Sequence, residues 1–145
     1  MAQAGAPHPE VESFFHKDTG SWTHVVHDGE TAAVIDPVLD YDAAAARTST
    51  AAADEVLAFV RDRALSVAWI LETHAHADHL SAAGYLHEAL HAPIAVGRGI
   101  LAVQTHFKDV FGLGGSFAAD GSQFDRLVDD GDALAVGSLE VRAVA

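Results

Sequence analysis

The sequence predicts an α/β fold, a mixed sheet flanked by helices, and three observations predict it. Leu65-Ser66-Val67-Ala68-Trp69-Ile70-Leu71 is a short, nearly continuous apolar run, as a strand covered on both faces requires. Ala53, Val56, Leu57 and Val60 before it, and Ala83, Leu86 and Leu90 after it, repeat at the spacing of one helix face. Pro93-Ile94-Ala95-Val96 then supplies a second short apolar segment, read as a parallel strand. With 145 residues, half of them hydrophobic, the chain has the material for one packed core.

The remaining elements follow in chain order. Met1 to Glu10 has Ala, Gly and Pro but no basic start and no apolar centre, so it reads as a mobile leader and not as a secretory signal. Residues 11–145 are read as the folded domain. Val11 to His16 and Trp22 to His27 read as strands separated by Asp18-Thr19-Gly20. Asp28-Gly29 is a hairpin turn leading into a third strand, Thr31 to Asp36. Pro37 to Thr50 reads as a loop with a short helical turn at Tyr41 to Ala46, followed by the first helix, which ends near Arg63. Ser81 is positioned to cap the second helix. Gly97 to Ser122 reads as one long irregular insertion of the kind used for lids and binding loops. Leu127-Val128, Ala133 to Val136 and Leu139 to Ala145 close the chain as strands around Asp130-Gly131 and Gly137. Trp22 and Trp69 read as core aromatics.

The chemistry is concentrated between the apolar strand and the second helix. Thr73-His74-Ala75-His76-Ala77-Asp78-His79-Leu80 contains an H-x-H-x-D-H cluster. Imidazole nitrogen and carboxylate oxygen are ligands that suit zinc or iron. Sites in α/β proteins favour the carboxyl ends of strands. In an extended loop, residues two apart point the same way, so His74 and His76 share a side. Asp78 and His79 follow as the chain turns and can face the same cavity. A solvated histidine loop is the bland alternative in a chain with ten histidines, but a strand before the cluster and an amphipathic helix after it argue for a built site.

Composition excludes several classes. The formal charge is −13, which disfavours nucleic acid and anionic membrane surfaces as partners. Arg98, Lys108 and Arg126 are the nearest candidates downstream of the cluster that a small anionic substrate could use, and each reads first as solvated surface. No apolar stretch reaches membrane-spanning length. There is no cysteine, which removes disulfides and thiolate ligands and suits a reducing, cytoplasmic setting. His106, in the insertion, is the one other histidine placed where it could reach a site mouth.

The cluster resembles the metal-binding signature of the metallo-β-lactamase superfamily. Ala33-Val34-Ile35-Asp36-Pro37 resembles that superfamily's early strand ending in an aspartate. Leu71 to Ala82 is most similar to the persulfide (sulfur) dioxygenases. The segments His106 to Phe111 and Ala118 to Asp125 resemble the bacterial beta-lactamase-hydrolase-like branch, so that the resemblance runs from about Val11 to Ala145. The resemblance implies the N-terminal portion of a four-layer αββα sandwich. It implies a non-haem Fe(II) centre whose ligands are His74 together with a histidine and an aspartate that lie beyond Ala145 in the family. In that branch His76, Asp78 and His79 are groups that orient ligands. In dinuclear zinc relatives they are ligands themselves. Asp36 is either another orienting group or a carboxylate capping a turn. The activity implied is oxidation of glutathione persulfide by dioxygen to sulfite and glutathione. The alternatives are a dinuclear zinc (Zn2+) thioester hydrolase of the glyoxalase II type, and a noncatalytic metal-binding half-domain. Because the later ligands are missing, the expectation is a truncated record, a cleaved protein, or a half completed by another chain, a homodimer included.

Overall fold

The computed structural model describes residues 8–145. The leader expected over Met1 to Glu10 lies outside the described residues as far as Pro7, and Glu10 already opens the first strand. The central sheet has six strands in the order β1-β2-β3-β6-β8-β9. β1 (Glu10–His16), β2 (Ser21–His27) and β3 (Thr31–Ile35) run antiparallel. β6 (Ser66–Glu72), β8 (Ile94–Gly97) and β9 (Arg126–Val128) continue from β3 in parallel. This is the mixed sheet the sequence predicts.

Alternation along the strands sets the two faces. Val25, Ala32, Val34, Ile70 and Ile94 face the helices α1 (Ala51–Asp62) and α2 (Ala83–Leu90), where Val56, Leu57, Val60 and Leu86 complete the core. The other face carries Ala33 and Ala95 and is partly covered by the hairpin β10 (Ala133–Val136) and β11 (Leu139–Arg142), with Leu134 and Val136 buried. The Trp69 indole donates to the Ala135 carbonyl at 3.2 Å across this contact. The last strand ends at Arg142, short of the Ala145 expected. Its hairpin is tied to the β2–β3 turn through Asp28, whose carboxylate accepts from the Ser138 N–H at 2.7 Å and hydroxyl at 2.8 Å. A Cβ on Gly137, which has φ +60°, would collide with that carboxylate, so the turn requires glycine.

Three further expectations are corrected. Residues 37–50 are not a loop with a helical turn. They form β4 (Val38–Asp42) and β5 (Arg47–Ser49), which pair antiparallel. Residues 97–122 are not wholly irregular, because they contain α3 (Ile100–Val110). Trp22 is half exposed, its ring tilted against Phe15 with centroids 4.8 Å apart, because it points to the face that α1 and α2 do not cover. Among the described residues no helix is long and apolar enough to cross a membrane.

Candidate metal centre

The site is built where two parallel strands end side by side. Ile35 of β3 is in register with Leu71 of β6, so the next residues, Asp36 and Glu72, emerge as neighbours. The loop 73–79 leaves this point and is pinned at its far end. There β7 (Leu80–Ser81) pairs with β4, Val38 opposite Ser81 and Leu39 opposite Leu80, and the Ala82 N–H donates to the Pro37 carbonyl at 2.9 Å. One segment, 36–39, therefore holds both ends of the histidine loop. β4, unrecognised in the sequence, is half of that clamp.

Asp36 is the hub of the first half of the site. Its backbone sits at φ +51°, a left-handed conformation that aspartate tolerates better than most residues. The Thr23 hydroxyl donates to its carbonyl at 2.9 Å and its own N–H donates to Leu71 O at 2.9 Å, which fixes that geometry. Its carboxylate accepts the Thr73 N–H at 2.8 Å and the Thr73 hydroxyl at 2.6 Å. Because the single Thr73 hydroxyl hydrogen goes to Asp36, His74 Nδ1 donates to Thr73 Oγ1 at 2.7 Å, and the lone pair of His74 is on Nε2.

The same logic assigns His76. Its Nε2 lies 3.0 Å from Asp36 and 2.9 Å from Glu72. The Asp36 carboxylate accepts from it, so Nε2 is the donor and the lone pair is on Nδ1, which lies 4.0 Å from Asp78 Oδ1. Glu72 is itself braced by the Ser81 hydroxyl. Burial, reinforced by the nearby Asp36 charge and opposed by Ser81, pushes the Glu72 carboxyl up to about 7. Ser81 also accepts from the Ala83 N–H at 3.0 Å, so it does serve the start of α2, although the capping position itself is Ala82.

The second half consists of Asp78 and His79. The Ser21 hydroxyl at the start of β2 lies 2.9 Å from Asp78 Oδ2 and 3.3 Å from His79 Nδ1, and His79 Nδ1 lies 3.2 Å from Asp78. The Ser21 hydroxyl, and after it His79, hold the Asp78 carboxyl down at about 2, so it is ionised at neutral pH. With Nδ1 engaged, His79 presents Nε2, which is buried and has no hydrogen-bond partner among the described residues. A buried unpaired imidazole nitrogen is costly unless something fills its direction.

The three rings stand together, with centroids of His74 and His76, and of His76 and His79, each 4.2 Å apart. Two overlapping groups have ligand atoms within 4.8 Å of one another: Asp36, His74 and His76, and His76, Asp78 and His79. Asp36 meets that distance but its oxygens already serve three donors, so it acts as a brace. The open atoms are therefore His74 Nε2, His76 Nδ1, His79 Nε2 and one Asp78 oxygen, a nitrogen-rich set that fits zinc or iron. The structure thus brings all four residues of the cluster together with Asp36. It leaves His106 on α3, in edge contact with Phe107. Arg98 is paired with Asp129 at 2.8 Å and Arg126 lies over Trp69, so neither is a free cation at the site. The sequence predicts no role at the site for Glu72, Thr73 and Ser21, and for Ser81 only a helix cap. Ser21 and Thr23 carried one signal, since both are polar at the inward-facing positions of a strand that also turns Val25 inward.

Comparison with known proteins agrees with this frame. The chain matches the description "Metallo-beta-lactamase superfamily" over residues 16–144. It is 44% identical over 138 residues to a beta-lactamase hydrolase-like protein of Xylella fastidiosa (strain Temecula1 / ATCC 700964), covering 94% of this chain and 32% of that one. It is 41% identical over 138 residues to Glyoxylase B2 of Dictyostelium discoideum, covering 94% of this chain and 46% of that one. Among solved structures it is similar to ETHE1 from Myxococcus xanthus, with TM-score 0.62 and 25% identity, over 90% of this chain and 45% of that one. The chain spans less than half the length of these relatives.

Proposed function

The chain belongs to the metallo-β-lactamase superfamily, and from that premise we propose that the whole protein is a non-haem iron persulfide dioxygenase. The observation that carries this reading is the inequality of the three histidines. His74 is exposed and offers an open Nε2, whereas the side chains of His76 and His79 are only 6% and 2% exposed and are held by carboxylates and a hydroxyl. One exposed imidazole beside two buried ones suits a single metal that takes one ligand from this half. The similarity of Leu71 to Ala82 to persulfide dioxygenases, and the likeness to ETHE1 from Myxococcus xanthus, support the same choice.

The reaction proposed is glutathione persulfide plus dioxygen plus water giving glutathione and sulfurous acid, which ionises to sulfite. Fe(II), when bound, supplies adjacent open positions at which the terminal sulfur and dioxygen meet. The chain's own residues do the rest of what is proposed here. His74 holds the metal on the loop side. Thr73 and Asp36 fix the His74 tautomer, and Glu72 and Asp36 fix that of His76. Asp78 keeps a negative charge facing the site. The acidic surface and cysteine-free composition fit a cytoplasmic enzyme acting on a small thiol persulfide.

The second reading is a dinuclear zinc thioester hydrolase of the glyoxalase II type. The compact His76, Asp78 and His79 group and the similarity to Glyoxylase B2 favour it. Oxygen uptake by the full-length, iron-loaded protein with glutathione persulfide tests the choice. Uptake supports the dioxygenase, while thioester hydrolysis without uptake replaces it with the hydrolase.

A further inference from the structure

We propose that Ser21 is a positioning residue for the Asp78–His79 side of the centre, held in place by a side-chain relay through Thr19, His16 and Asp40. The proposal goes beyond the one-ligand reading above and rests on the family's metal chemistry: it takes the open His79 Nε2 and Asp78 to face a metal, as the second reading does.

The relay is continuous. Asp40 Oδ1 lies 3.1 Å from His16 Nε2, and His16 Nδ1 lies 2.7 Å from Thr19 Oγ1. Thr19 Oγ1 lies 2.8 Å from Ser21 Oγ, which lies 2.9 Å from Asp78 Oδ2. The outer end is anchored, because Asp40 Oδ2 accepts the Ala52 N–H at the start of α1 at 2.9 Å. Strand pairing brings the parts together, since His16 and Ser21 are cross-strand partners at the end of the β1–β2 hairpin.

Hydrogen counting gives the relay a direction. Each contact carries one hydrogen when His16 donates from Nε2 to Asp40 and from Nδ1 to Thr19 Oγ1, and the Thr19 hydroxyl donates to Ser21 Oγ. The Ser21 hydrogen is then given to Asp78 Oδ2. The Asp78 carboxylate, which only accepts, lies 3.2 Å from His79 Nδ1 and Ser21 Oγ lies 3.3 Å from it, so the imidazole hydrogen stays on Nδ1 while Ser21 holds Asp78 in place, and the lone pair is on Nε2. Ser21 is buried, at 8% exposure, on the same strand face as Val25 of the core. Its hydroxyl, and not its bulk, is what the site uses.

The experiment compares the wild-type protein with Ser21→Ala and Ser21→Thr in metal-free form. It reads the imidazole ¹⁵N signals of His79, the Zn(II) affinity and the melting temperature. Ser21→Ala should move His79 from one tautomer to an average of two and weaken Zn(II) binding by about 10–100-fold, as loss of a ligand-orienting partner does. Ser21→Thr should restore both. Should Ser21→Ala fail to fold, Thr19→Val must weaken Zn(II) binding several-fold, and wild-type binding by it overturns the proposal. Unchanged His79 signals with unchanged Zn(II) affinity in Ser21→Ala also overturn it. If the wild type binds no Zn(II) while His79 still responds to Ser21→Ala, the positioning role stands and the metal reading falls.

Discussion

The His74–His76 side of the centre and the Asp78–His79 side are held by different parts of the fold. The first is braced from the middle of the sheet, by Asp36 and Glu72 at the ends of two in-register parallel strands. The second is braced from the β1–β2 hairpin, at the far edge of the sheet, through Ser21. Both sides solve the same problem, which is to pin one imidazole nitrogen so that the other is free. The central side does it with buried carboxylates, the peripheral side with a hydroxyl and an ionised aspartate. Hydrogen bonds are stronger where water is excluded, and Glu72 is buried where Asp78 is exposed, so the central side should tolerate less.

That contrast can be broken by substitution, starting with the largest effect. His74→Ala removes the open ligand atom, and metal retention and oxygen uptake should fall by more than about 100-fold, beyond the loss caused by any bracing residue. Metal analysis after dialysis and an oxygen electrode read both. Glu72→Ala leaves the His76 N–H with Asp36 alone, and Zn(II) affinity should drop about 10–100-fold, at least as much as in Ser21→Ala. A smaller loss at Glu72 than at Ser21 would reverse the ranking of the two sides.

Asp36 sharpens the comparison, because it combines a bracing role with a left-handed backbone. Asp36→Asn keeps a residue that accepts φ +51° and should melt near the wild type while binding metal more weakly. Asp36→Ala adds the left-handed cost of about 1–2 kcal/mol and should melt roughly 3–8 °C lower. Equal melting of the two would mean that the backbone there carries no strain.

The smallest effect lies away from both sides. Asp28 is held well below the ordinary carboxylate range by the Ser138 N–H first, then by the Thr31 and Glu30 N–H groups and the Ser138 hydroxyl. Its folded-state pKa is depressed, so its stabilisation is present above the unfolded value near 3.9 and is lost as pH falls through the folded value. Asp28→Asn should lower the melting temperature at pH 7 by roughly 2–4 °C, flatten the acid end of the stability profile and leave metal affinity untouched. Thermal melts across pH 2–7 with a Zn(II) titration check all three.

The parts legible in the sequence were those whose signal is local. The buried strand before the cluster, the helix after it and the hairpin at Asp28-Gly29 each declare themselves within a few residues. β4 and β5 did not, since Asp40, Tyr41 and Asp42 give no apolar run and the strand exists by pairing with β7, forty positions on. α3 was hidden because it turns no apolar stripe inward: Gln104 is its one buried residue, and the glutamine bonds across to the Gly121 N–H. The cluster itself was plain, but its supports were not. Ser21 reaches Asp78 across 57 positions and Asp36 reaches His76 across 40, and no spacing rule covers contacts made by sheet topology.

The most direct test of the account is the metal content of the full-length protein, measured together with its activity on glutathione persulfide. The account predicts about one iron per chain, with oxygen uptake that disappears in His74→Ala. About two zincs per chain, with thioester hydrolysis and no oxygen uptake, would contradict it.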